Sequence, residues 1–75
     1  MDFDIELNAR GLTCPLPILR TKKSLAGMTS GQVLKIISTD RGALKDMQAF
    51  AAQTGNTLLS GVEENEEFIF FMRKK

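Results

Sequence analysis

Only two prolines occur in the chain, Pro15 and Pro17, and they stand beside its only cysteine in the run Cys14-Pro15-Leu16-Pro17. Inside a helix a proline removes a hydrogen bond and clashes with the preceding turn. In the first turn it costs nothing, because those N–H groups have no partner within the helix. The run therefore predicts a helix start, with prolines at the first and third helical positions and Cys14 at or beside the N-cap. The helix should continue to about Ala26. Ile18, Thr21, Leu25 and Met28 form its inward stripe, Arg20 and Lys23 project from the other side, and Gly27 is placed for a left-handed cap.

The rest of the chain reads as alternating elements. Phe3, Ile5 and Leu7 alternate with Asp2, Asp4 and Glu6, the pattern of a strand with one wet face. Arg10 to Thr13 form a loop in which Gly11 is free to take positive φ. Val33 to Ile37 read as a second strand. Asp40 is a suitable N-cap for a second helix from Arg41 to Thr54, with Ala43, Met47, Phe50 and Ala51 on one face and Gly55-Asn56 at its end. Thr57 to Val62 and Glu66 to Met72 read as two further strands. The short polar Glu63-Glu64-Asn65 between them implies an antiparallel hairpin. The order β-α-β-α-β-β, with right-handed crossovers, places both helices on one face of a mixed four-stranded sheet. The expected class is an α/β (α+β) two-layer sandwich in one domain. Arg73-Lys74-Lys75 is expected to be a solvated tail.

Composition narrows the function. With 75 residues the chain supports one modest core, burying roughly 60% of the unfolded surface. One cysteine rules out a disulfide within one chain, and one cysteine without histidine rules out a zinc site of the usual ligands. Ten basic against nine acidic residues leave no broad pull toward nucleic acid or membrane. The acidic start is unlike a signal peptide, no segment approaches the ~20 apolar residues of a membrane span, and a free thiol suits a reducing compartment. A cytoplasmic location is expected, with no metal and no cofactor.

Cys14 is where chemistry is expected. The positive end of a helix favours a thiolate, and Arg10 lies four residues upstream on the same loop. Without histidine there is no Cys–His pair, and without a second cysteine there is no Cys-x-x-Cys couple. A lone activated thiol without a general base is a carrier's equipment rather than a complete enzyme's. The residues alone leave two alternatives open: a reactive thiol, or a small buried hydrophobe packed on the Ile18–Leu25 stripe.

The run from Asn8 through Gly11 to Cys14, Pro15 and Pro17 resembles the signature of the TusA/SirA/YedF-like sulfur-carrier family, a Cys-Pro-x-Pro motif after an upstream glycine. The likeness extends to chain size, element order, Thr39-Asp40, Asp46 and Gly55. It implies one sulfur-carrier domain over residues 1–75 and a persulfide relay through Cys14. A cysteine desulfurase or rhodanese-like protein would donate, another protein would accept, and the sulfur would serve tRNA thiolation, cofactor synthesis or sulfur metabolism. Gly11, Pro15, Pro17 and Asn8 would shape the site. Asn8 stands where the family usually has Asp; it can still accept a hydrogen bond in the loop, while the lost negative charge favours the thiolate. Arg41-Gly42 replaces a common proline after Asp40, and Asn56 a frequent histidine, which leaves the subfamily and partner open.

Leu16 points with Arg20 and Lys23, away from the stripe, as either a docking contact beside the sulfur or cover for the sheet end. Arg10, Arg20, Lys22 and Lys23 either meet an acidic partner surface or form a solvated face. Phe68-Ile69-Phe70-Phe71 is apolar on both faces of its strand. That suggests weak homo-oligomerisation or partner docking, unless a terminus or loop covers it. Asp40 and Asp46 read as a cap and a solvated helix residue on different faces, not as a pair. The rival to sulfur transfer is a regulatory or interaction module with a structural, buried Cys14 of raised pKa. Direct nucleic-acid binding is weakest, with charge balanced and Tyr and Trp absent.

Overall fold

The computed structural model describes residues 2–75. Along it run β1 (Ile5–Ala9), α1 (Leu16–Ala26), β2 (Val33–Ser38), α2 (Ala43–Thr54), β3 (Thr57–Glu64) and β4 (Glu67–Arg73). The sheet order is β1-β2-β4-β3, with β1 parallel to β2 and β4 antiparallel to both of its neighbours. The last strand is thus inserted between β2 and β3. Its composition explains the place: Phe68, Phe70 and Met72 face the helices while Ile69 and Phe71 face outward, so β4 is apolar on both faces and takes a central position. The strands with acidic or polar alternates, β1 and β3, take the edges.

Both helices cover one face. The core joins Ala9, Leu34, Ile36, Phe70 and Met72 from the sheet to Leu25, Met28, Ala43, Met47, Phe50 and Ala51 from the helical side. The one polar member of the α1 stripe, Thr21, is fully buried and satisfied: its hydroxyl donates to the Pro17 carbonyl oxygen at 2.8 Å. α2 lies close over β3 at Gly61, where a Cβ would come within 3.1 Å of both the Leu44 and Phe70 side chains.

The outer face is only partly bare. Phe3 leaves the alternation of β1 and packs against Phe71, ring centroids 6.2 Å apart, under the Lys35 ammonium at 5.1 Å. The departure starts at Asp4, whose carboxylate accepts from the Val33 N–H and whose own N–H donates to the Val33 carbonyl, both at 2.8 Å. So the N-terminal segment covers part of the second apolar face of β4.

Other boundaries depart from the sequence reading. α2 begins at Ala43 with Gly42 as its cap residue, and Asp40 makes no side-chain capping bond. Gly27 ends α1 at φ −92°, outside the left-handed region, by donating its N–H to the Ser24 carbonyl. β3 runs through Glu64, so Asn65-Glu66 alone makes the hairpin turn, with φ of 52° and 64°. Arg73-Lys74-Lys75 is no free tail: Arg73 is in β4, and the Lys74 and Lys75 N–H groups donate to the Gln32 carbonyl and the Asn56 side-chain oxygen, each at 2.8 Å.

Candidate functional site

The loop from β1 to α1 is pinned at several points before it reaches the cysteine. Ala9, fully buried, anchors the end of β1. Asn8 Oδ1 accepts from the Arg10 N–H at 3.1 Å. Gly11, at φ +78°, donates its N–H to Thr39 Oγ1 at 2.9 Å, which ties the loop to the end of β2. Arg10 reaches β4 and grips Glu67 with two hydrogen bonds, Nε to Oε2 and Nη2 to Oε1. This pair holds the Glu67 carboxyl below its ordinary pKa and the guanidinium above its own, in each case mainly through the hydrogen bond. Beside it lies a polar cleft of about 310 Å³ lined by Thr39, Arg41, Glu63, Glu66 and Glu67, among others.

The helix then starts two residues after the cysteine. The Leu16 N–H closes a turn onto the Thr13 carbonyl at 2.9 Å, and the Pro15 carbonyl accepts from Leu19 at 3.1 Å. Pro15 is therefore the N-cap residue and Pro17 the second helical residue, one place earlier in the helix than the spacing predicted. Cys14 sits just outside the cap and is exposed, while Pro17 is buried.

The electrostatics differ more sharply from expectation. The Cys14 thiol is pushed above its ordinary pKa, first by hydrogen bonding to the Asp46 carboxylate, then by desolvation and by the charges of Asp46 and Asp40. Arg10 is engaged with Glu67 instead. The helix terminus offers about half a positive charge, against two full negative ones nearby. The two aspartates, expected on different faces, converge at the start of α2. A Cβ on Gly42 would lie 3.5 Å from Asp40 Oδ2 and 3.8 Å from Asp46 Oδ2. The buried Asp40 Oδ2 has no hydrogen-bond partner among the described residues.

Leu16 is 43% exposed, and Leu19, which the sequence reading passed over, is 53% exposed one turn further on. With exposed Arg20 and Lys23 they make an apolar and basic surface beside Cys14. The signal for Leu19 was its i+3 spacing from Leu16. Asp46 was a point of the family likeness, but nothing in its spacing placed it at Cys14, because that meeting depends on how α2 packs beside α1.

The model of a known family, sulfurtransferase TusA, matches residues 5–74. The chain belongs to the TusA family. It is 59% identical over 73 residues to the sulfur carrier protein TusA of Allochromatium vinosum, covering 97% of this chain and 96% of that one. It is 48% identical to a putative sulfur carrier protein of Neisseria meningitidis serogroup A, over 92% and 93% of the two chains. A SirA-like protein from Desulfitobacterium hafniense has the same fold, with TM-score 0.83 and 25% identity over 93% of this chain and 96% of that one. Among the described residues of this TusA-family chain no group of three or more His, Cys, Asp or Glu side chains is placed to hold a metal ion, and no helix is long and apolar enough to cross a membrane.

Proposed function

We propose that the protein is a cytoplasmic sulfur carrier that accepts sulfane sulfur on Cys14 as a persulfide and passes it to an acceptor protein. The observation that carries this reading is the exposed Cys14 at the tip of a loop pinned to β2 and β4, in a chain of the TusA family. Exposure speaks against the structural-cysteine rival, although the raised thiol pKa is a property that rival shares.

In the loading step the Cys14 sulfur attacks the terminal sulfur of a donor persulfide. A new S–S bond forms on Cys14, the donor's S–S bond breaks, and the donor cysteine leaves with the electron pair as a thiolate. No net oxidation occurs. The proton that the Cys14 thiol gives up on attack is the one the departing donor thiolate takes up, so thiol plus persulfide become persulfide plus thiol. A cysteine desulfurase or a rhodanese-like protein supplies such a donor. Leu16, Leu19, Arg20 and Lys23 offer the contact surface next to the sulfur, and tRNA thiolation, cofactor synthesis or sulfur metabolism would use the product.

Mass spectrometry tests this directly. After incubation with a cysteine desulfurase and free cysteine, the protein gains the mass of one sulfur, and a reductant removes it. Cys14→Ala folds but gains none. Sulfur loading of that variant at the parent level would overturn the reading.

A further inference from the structure

At the end of the helical layer away from Cys14, an open groove of about 480 Å³ runs between the C-terminal turns of α1 and α2 and the final residues of the chain. Exposed Ala26 and the outer edges of the largely buried Leu25 and Phe50 give it a shallow apolar floor, and Lys22, Lys74 and Lys75 also line it. No acidic residue lines it, and none of these lysines takes part in an ion pair among the described residues. The bonds from Lys74 to Gln32 and from Lys75 to Asn56 hold the main chain of the last two residues beside the groove, and the Lys75 stem lies over Gly55. Two helix C-termini, roughly half a negative charge each, and the main-chain carboxylate of Lys75 oppose the three lysine charges without cancelling them.

We propose that this groove docks a short acidic segment of a partner protein that also carries an apolar side chain. The apolar residue would lie on exposed Ala26 and the outer edge of Phe50, and the carboxylates against the lysines. The groove lies along the C-terminal half of the eleven-residue α1, at the other end of the helix from Cys14, which leaves the thiol open while a partner is held. The proposal is independent of what chemistry Cys14 performs.

The probe is a blocked hexapeptide, Asp-Glu-Leu-Phe-Glu-Asp, titrated into the isotope-labelled protein and followed by NMR. Saturable shifts are expected at Leu25, Ala26, Phe50 and Asn56, weakened by added salt and unchanged in Cys14→Ala. The double change Lys22→Glu/Lys74→Glu weakens binding by about tenfold or more, and Lys22→Gln/Lys74→Gln, which only neutralises, falls between. A peptide with Lys in place of its acids does not bind. The proposal is overturned by no saturable binding at millimolar peptide, by equal binding to the charge-reversed variant, or by shifts centred on Cys14. It is equally overturned if the groove ignores the peptide but takes phosphatidylglycerol vesicles, or if sedimentation shows a second copy of the chain seated there.

Discussion

Cys14 is presented by position and restrained by charge. The prolines and the pinned loop keep the sulfur outside the helix and exposed, while Asp46 and Asp40 favour its protonated form. Because the folded-state pKa is raised, less of Cys14 is thiolate at a given pH than of an ordinary thiol. Asp46→Asn removes a charge and an acceptor, so its Cys14 should be alkylated by iodoacetamide roughly two- to fivefold faster at neutral pH, since the thiolate is the attacking form. Its pH–rate profile should move to lower pH. An unmoved profile would mean that Asp46 does not govern the thiol. The motif, the lone thiol and its place at a helix start were legible in the run Cys14 to Pro17. The sign of its pKa shift was not, because it comes from Asp46 and Asp40, which lie beyond β2 in the chain.

Among the elements, the β3–β4 hairpin shows where local preference was overruled. A two-residue turn with positive φ at both positions favours Asn-Gly, and this one is Asn65-Glu66. An L-residue in the left-handed region costs about 1–2 kcal/mol. Glu66→Gly should therefore stabilise the protein by about 1 kcal/mol, allowing for the extra freedom glycine gives the unfolded chain. The check is a higher denaturation midpoint with an unchanged slope. A lower midpoint would show that Glu66 makes stabilising contacts that outweigh its strain. The helices were easier to read than this turn: of the α1 stripe Thr21, Leu25 and Met28 are buried and Ile18 is half-buried, and Ala43, Met47, Phe50 and Ala51 of α2 are all buried, as a 3.6-residue period requires.

For the molecule as a whole, the Arg10–Glu67 pair joins the motif loop to β4 across β2. Glu67 is held below its ordinary pKa, so what the pair contributes is present above the ordinary carboxylate range and lost as pH falls through the depressed folded value. Acidification should release the loop: the Arg10 side-chain N–H signal broadens and amide exchange over residues 10–13 speeds up relative to the core. Added salt produces a milder version of the same change, since the pair is solvent-exposed. In Glu67→Gln the acid-dependent part disappears. A loop whose exchange keeps its pH response in that variant would place the coupling elsewhere, with the Gly11–Thr39 bond the next candidate.

Local covalent and periodic constraints were enough to determine the element order, the helix-start cysteine and the inward faces, because each depends on neighbours within one or two turns. Tertiary packing decided what depends on residues distant in the chain. It inserted the doubly apolar β4 between β2 and β3, turned Phe3 onto the outer face, and fastened the C-terminal lysines to the groove. It also brought Asp46 and Asp40 to bear on Cys14. The tight Cys-Pro-x-Pro run thus set where the sulfur stands, and the packing of α2 beside α1 set how readily it gives up its proton.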